Sequence, residues 1–160
     1  MFRYMKRTSI FLVCYLYAAV PPQINLGIDS IEKNKDGSYD IHVYMLNQVP
    51  LAGFQLDLLP PGLLEIESIH GGRGEATGFN MSAGKKGTML GFSFSGAAIE
   101  PSKSDNPTEN LFFTLNVKLI KEVPNEPVNI GFTVIMAGKS GEKVETEMVE
   151  YTYDFFHKVK

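Results

Sequence analysis

Apolar residues recur at every second position over most of this 160-residue chain after residue 22. In residues 39–46, for example, Tyr39, Ile41, Val43 and Met45 alternate with Asp40, His42, Tyr44 and Leu46. A period of two is that of a β-strand with one buried face, whereas a helix would show a period near 3.6. Gly, Pro, Asn and Asp separate the alternating segments, as turn residues do. The sequence therefore predicts an all-β protein with roughly eight or nine strands.

The alternating segments predict two antiparallel sheets packed face to face, a β-sandwich of the jelly-roll kind. A parallel α/β fold is excluded because the sequence offers no amphipathic helices to cover both faces of a parallel sheet. No repeat or linker divides residues 23–160, so we expect one domain there. The inward-facing positions predict one core between the sheets, formed by Phe54, Leu56, Leu90, Phe92, Phe113, Leu115, Ile130 and Phe132.

Residues 1–22 differ from the rest of the chain in composition. Arg3, Lys6 and Arg7 precede the apolar residues 10–20, and no acidic residue appears before Asp29. A basic start followed by such a run is typical of a secretory signal peptide, and the run is shorter than the ~20 residues of a membrane-spanning helix. Three interpretations stay open: a cleaved signal, a retained anchoring or docking arm, and a buried first strand. As an anchor, the segment would contact a membrane or partner through Ile10, Phe11, Leu12, Val13 and Leu16.

The residues that could carry chemistry form no catalytic or metal-binding pattern. His42, His70 and His157 lie on separate segments without the short spacing of metal ligands. The single cysteine, Cys14, excludes a disulfide framework within one chain. Residues 71–74, Gly-Gly-Arg-Gly, are predicted to form a turn and not a phosphate cradle, because no helix follows them. We therefore expect no enzymatic activity, no metal and no cofactor.

Charge and composition also limit the partners. The chain has 15 basic and 18 acidic residues, a net charge of −3, which gives no field that favours nucleic acid. The C-terminal stretch carries more aromatic surface than a free tail should, in Tyr151, Tyr153, Phe155 and Phe156. They form either a last core strand or an arm that packs on a neighbour.

Four segments carry a recognisable series of turn and core residues: residues 49–58, 62–71, 88–97 and 111–119. In order and spacing they resemble cohesin domains, the β-sandwich modules with which cellulosomal scaffoldins hold dockerin-bearing enzymes. The resemblance covers roughly residues 24–135 and implies a non-catalytic sandwich. Cohesins often carry an Asn and an Asp that grip the dockerin just ahead of the position of Phe54, where this chain has Leu51 and Gly53.

The resemblance also implies a partner-binding face. In cohesins the sheet that contains the corresponding strands docks the partner, so the outward positions are candidates: Gln55, Asp57, Ser93, Ser95, Asn116 and Lys118. Their mostly neutral polar character predicts a hydrogen-bonding interface of moderate affinity. The alternative is that they form ordinary solvent-facing exterior. Asn80 opens an Asn-Met-Ser sequon and is a candidate glycosylation site if the chain follows a eukaryotic secretory route.

Two functional hypotheses follow. In the first, the chain is a structural protein–protein interaction module within a larger assembly, such as a minor capsid component of a large virus or a surface layer. Its partners would be other protein subunits, and it would lie in a virion or at a cell surface. In the second, the chain is a secreted or cell-surface adhesion module that binds a dockerin-like partner or a carbohydrate.

Overall fold

The computed structural model describes residues 21–122 and 126–156, so the predicted anchor residues, Cys14 and His157 lie outside the described residues. Pro21 and Pro22 precede the first strand. Within this part of the chain there are ten strands and two short helical segments. In chain order they are β1 (Ile24–Lys33), β2 (Tyr39–Asn47), β3 (Gly53–Leu59), β4 (Leu64–His70), α1 (Gly72–Ala76), β5 (Asn80–Ala83), β6 (Thr88–Phe92), a 3₁₀ helix (Pro107–Asn110), β7 (Leu111–Leu119), β8 (Val128–Ala137), β9 (Thr146–Val149) and β10 (Tyr151–Tyr153).

The strands form two five-stranded sheets. The order in the first, sheet A, is β4-β7-β2-β1-β9, and the order in the second, sheet B, is β10-β8-β3-β6-β5. The predicted all-β sandwich is confirmed. One pairing differs from the all-antiparallel expectation, because β1 runs parallel to β9, with Ile24 opposite Thr146 and Gly27 opposite Val149. Alternation along a strand indicates its buried face but not the direction of its neighbour. The sequence pattern therefore could not predict this parallel pairing.

The core lies between the sheets, as predicted, and most of its members were identified correctly. Six of the eight predicted core residues are at most 5% exposed: Phe54, Leu56, Phe113, Leu115, Ile130 and Phe132. The predicted inward set of β2 is also buried. The aromatic C-terminal stretch belongs to the same body, since Tyr153 and Phe155 lie edge-on to buried Tyr39, with ring centroids 6.2 and 5.2 Å away.

The predicted inward face of β6 is wrong. Leu90 and Phe92 are 43% and 44% exposed, while Met89 is fully buried and Gly91 faces the core. The reason is the ring of Phe54, which occupies the space over Gly91. A Cβ at position 91 would lie 2.8 Å or less from three atoms of that ring. The small residue therefore points inward, and the larger apolar residues of the strand point to solvent.

Two short connections are held by specific local contacts. Between β1 and β2 the Asp36 carboxylate accepts hydrogen bonds from the Ser38 amide at 3.0 Å and the Ser38 hydroxyl at 2.7 Å. The turn prediction for residues 71–74 is wrong, because Gly72 already begins α1. Gly72 has a φ of +63° and lies against the Phe112 backbone, where a Cβ would collide with the carbonyl group. This close approach to β7 fixes the short helix.

Candidate partner-binding surface

The outer face of sheet B and the loop that follows β6 carry large apolar side chains that are exposed. We call Leu90, Phe92, Phe94 and Ile135 the apolar stripe; their exposures are 43%, 44%, 82% and 55%. Leu90 and Ile135 flank the exposed Gln55 in one row across β6, β3 and β8. Adjacent exposed apolar residues of this kind mark interaction sites in soluble proteins.

The sequence of β6 explains why the stripe exists. The strand is apolar on both faces, with Met89 inward and Leu90 and Phe92 outward. Phe92 lies beside Gly53 of β3, which has no side chain to cover the ring. Phe92 and Phe94 instead contact each other edge to face, with ring centroids 4.8 Å apart and planes at 82°. The two rings together form an apolar projection next to β6.

Asp57, the one charged residue in the described strands of sheet B, stands next to the stripe. Asp57 lies on β3 in the row after Gln55, between Thr88 of β6 and Thr133 of β8. The Thr88 hydroxyl donates to one carboxylate oxygen at 2.6 Å, and the Thr133 hydroxyl donates to the other at 3.2 Å. None of the ion pairs in residues 21–122 and 126–156 includes Asp57. The carboxylate is therefore held in place by neutral donors.

The residues predicted to form one binding face do not lie on one face. Gln55 and Asp57 belong to the outer face of sheet B, beside the stripe. Ser93 and Ser95 follow β6 in the next loop, where their hydroxyl oxygens are 2.9 Å apart.

Asn116 and Lys118 lie on β7 in sheet A, on the opposite side of the sandwich. Asn116 donates to Asp40 at 2.7 Å, and Lys118 pairs with Glu67 at 2.8 Å. A single six-residue face is thus ruled out, because a period of two identifies outward residues without identifying their sheet.

The sequence analysis missed the stripe itself, having placed Leu90 and Phe92 in the core. Only a weak signal was present: Met89 is apolar in the register opposite to Leu90, Phe92 and Phe94, and a single residue does not decide which register faces the core. The candidate glycosylation residue Asn80 is exposed on β5, directly opposite Phe92 in the strand pairing. Whether it is glycosylated stays a prediction, and a glycan there would lie beside the stripe.

An open cleft of about 470 Å³ lies between α1 and residues 98–110, but its central residue serves the fold. The two hydrogens of Arg73 Nη1 are shared among four acceptors at 2.9–3.2 Å: the Met45 carbonyl, the Asn47 and Asn110 side-chain oxygens and the Ser102 hydroxyl. Its Nη2 donates to the Glu100 carbonyl. Burial lowers the pKa of Arg73 from its usual value, although an arginine stays charged at neutral pH. Arg73 thus fastens the long loop to β2.

Two histidines come closer together than the sequence suggested. His42 and His70 lie on either side of Thr114 in one row of sheet A, and the His42 Nδ1 is 3.2 Å from the Thr114 hydroxyl. No cluster of three or more metal-ligating side chains occurs within the described ranges. Nor does any helix in that part of the chain have the length and apolarity to cross a membrane.

The fold of this chain matches solved structures, although its sequence matches no known family. No family model and no curated protein matches the chain. Solved structures do match. A non-cellulosomal cohesin from the hyperthermophilic archaeon Archaeoglobus fulgidus is 13% identical, with a TM-score of 0.54 over 81% of this chain and 90% of that one.

Two further matches are structures of complexes. The sixth cohesin of scaffoldin B from Acetivibrio cellulolyticus, in complex with a dockerin, is 14% identical, with a TM-score of 0.52 over 79% of this chain and 96% of that one. A type I cohesin–dockerin complex from Clostridium thermocellum gives 11% identity and a TM-score of 0.54 over 85% and 96% of the two chains. Identities this low are evidence of fold alone. The resemblance noted in the sequence is thereby confirmed at the level of structure: the chain has a cohesin-like fold.

Proposed function

We propose that this chain is a non-catalytic protein-binding module that holds a dockerin-like partner on the outer face of sheet B. The observation that carries the proposal is the apolar stripe, an exposed apolar projection on a sandwich whose other large apolar residues are mostly buried. Aromatic side chains that become buried at the centre of an interface are the usual hot spots, and truncating one costs about 2 kcal/mol or more.

The fold comparison supports a protein partner, since two of the cohesins named above were solved with dockerins. The contacts in this chain would differ from those of the family. Leu51 is fully buried and bridges to Ile99, and Gly53 has no side chain, so neither supplies a polar group for the partner. The partner of this chain would bind chiefly through apolar contacts with the stripe.

The location that fits this proposal is the cell surface or the extracellular space, in agreement with the signal-like composition of residues 1–22. The matched structures named above are cohesins, and they give no support to the capsid or surface-layer hypothesis. A carbohydrate ligand is also a poorer fit, because the perpendicular rings of Phe92 and Phe94 do not form one flat platform.

Affinity capture with stripe variants tests the proposal. The purified chain is used to capture proteins from an extract of the native source, in parallel with Phe94→Ser and with Ile120→Ser as a matched control. Ile120 is an exposed apolar residue that follows β7, in sheet A.

We expect a partner that the wild type and Ile120→Ser bind alike and that Phe94→Ser binds about 30-fold more weakly, the equivalent of about 2 kcal/mol. Equal capture by the wild type and Phe94→Ser would show that the stripe is not the binding surface. Thermal melting of each variant checks that the fold is intact.

A further inference from the structure

We infer that the partner presents a Lys or Arg side chain to Asp57, one row away from the apolar side chains that it places on the stripe. The inference rests on the proposed function and specifies the chemistry of the partner. Within the described residues, the five strands of sheet B contain no Lys or Arg, and Asp57 is their only charged residue.

Asp57 lies close enough to the Leu90 end of the stripe to be covered with it. Residues two apart on a strand are about 6.6 Å apart, so Asp57 lies that distance from the Gln55 row, in which Leu90 and Ile135 stand. A standard protein interface extends well beyond one such spacing. A partner that covers Leu90 and Ile135 therefore removes water from the Asp57 carboxylate as well.

Desolvating that carboxylate without a cation would oppose binding. An unpaired buried charge costs several kcal/mol of binding free energy. A close charge pair in an interface offsets this cost, and in some complexes it adds affinity. Thr88 and Thr133 each occupy one oxygen of the carboxylate but do not neutralise it. Each oxygen keeps a further lone-pair site, so a guanidinium or ammonium group can be added to the two existing hydrogen bonds.

The Asp57 carboxylate is also already oriented for pairing with a cation. Two hydroxyl donors from the neighbouring strands fix its orientation, so little side-chain entropy remains to be lost when a cation pairs with it. A carboxylate held in this way attracts a cationic group and repels an acidic one, so it discriminates between partners.

The charge of the whole sandwich favours a basic partner over a second copy of this chain. All 18 acidic residues lie in the described parts, together with ten of the 15 basic residues, which leaves these parts with a net charge of −8. A second copy that presented the same face would bring no cation to Asp57. Long-range attraction and the local contact therefore select the same kind of partner, a basic one.

Selection from a library tests the inference and does not require the natural partner. The probe is a phage-displayed three-helix bundle with one randomised helix face, selected for binding to the full chain. Each binder is then measured against the wild type, Phe94→Ser, Asp57→Asn and the control Asp40→Asn. Asp40 is a half-buried carboxylate of β2, in sheet A.

We expect the binders that Phe94→Ser weakens to be enriched in Lys or Arg at one position. Asp57→Asn should weaken them about tenfold or more, and Asp40→Asn should not. Asp57 has no cation in the free chain, and a threonine hydroxyl can rotate to accept from the new amide, so Asp57→Asn should lower the melting temperature only slightly. If that variant does not fold, Thr133→Val keeps the charge but frees one oxygen, and it should weaken the same binders severalfold.

Different results would contradict the inference about Asp57 and the proposed function. Binders that depend on Phe94 but tolerate Asp57→Asn and show no basic preference would overturn the inference and leave the proposed function standing. Binders that ignore Phe94→Ser would count against the proposed function itself.

Discussion

Replacing Gly91 by alanine tests the inverted face of β6 with the smallest possible change. In an ordinary strand position glycine is less stable than alanine by roughly 0.5–1 kcal/mol, so the substitution should help. Here the added Cβ would meet the Phe54 ring. That ring has little room to move, because Phe112 and Phe113 lie with ring centroids 4.9 and 5.8 Å from it. Overpacking a closed core costs typically 1–3 kcal/mol, so we expect a net loss of about 1–2 kcal/mol.

Urea unfolding followed by circular dichroism measures this loss as a lower midpoint at an unchanged m-value. Gly53→Ala is the matched control on the neighbouring strand. Its Cβ would lie 3.4 Å from the Gly91 carbonyl oxygen and 3.9 Å from the Phe92 Cβ, with no ring in the way. It should be neutral or slightly stabilising. A Phe54→Leu background, which removes the ring, should reduce the cost of Gly91→Ala, with a coupling energy of about 0.5–3 kcal/mol.

A Gly91→Ala variant as stable as the wild type would refute this reasoning. It would mean that Gly91 does not face the core. Leu90 and Phe92 would then return to the interior, and the apolar stripe would no longer exist as a surface.

Three further outcomes follow from contacts described above. Met89→Ala should cost about 2–5 kcal/mol, because Met89 is fully buried, whereas Leu90→Ala should stay within about 0.5 kcal/mol by the same urea assay. Arg73→Lys should cost about 1–3 kcal/mol and speed hydrogen exchange in residues 98–110, because buried acceptors lose their donors. The hydroxyl and amide of Ser38 lower the pKa of Asp36 below its ordinary value of 3.8. Its stabilisation is complete above pH 3.8 and is lost as the pH falls through the lowered pKa, so Asp36→Asn should flatten the stability profile only below pH 3.8.

Each of these outcomes can be contradicted. Equal losses for Met89→Ala and Leu90→Ala would remove the distinction between the two faces of the strand. Unchanged exchange in the loop of the Arg73→Lys variant would show that other contacts hold it. A parallel shift of the Asp36→Asn profile at all pH values would point to a general effect and not to the carboxylate.

On most strands the more apolar register of the sequence is the one that faces the core. On β2, residues 39–43 alternate clearly between apolar and polar, and the inward set was identified correctly. On β6 the more apolar register faces water. The Phe54 ring, from a distant part of the sequence, fills the space over Gly91, and only glycine fits on the inward side there. A rule that scores each strand alone cannot detect such a contact.

The candidate site was predicted only in part for the same reason. Gln55 and Asp57 were identified as outward residues, and they do stand beside the apolar stripe. Asn116 and Lys118 were also identified as outward, but β7 pairs with β2 and β4, in the other sheet. The hydrogen bonds of Arg73 join residues from three separate segments, so no local pattern could have indicated them.

The parallel pairing of β1 with β9 has a consequence for how the chain reaches its folded state. Sheet A is complete only when residues 24–27 have met residues 146–149, so the contact joins nearly the two ends of the described sequence. Sandwiches dominated by such distant pairings fold in milliseconds to seconds. On a ribosome that adds about 5–20 residues per second, β1 would wait on the order of ten seconds for β9. During that time its open edge can pair with another nascent chain, and a chain that stops before residue 146 would keep this edge open permanently.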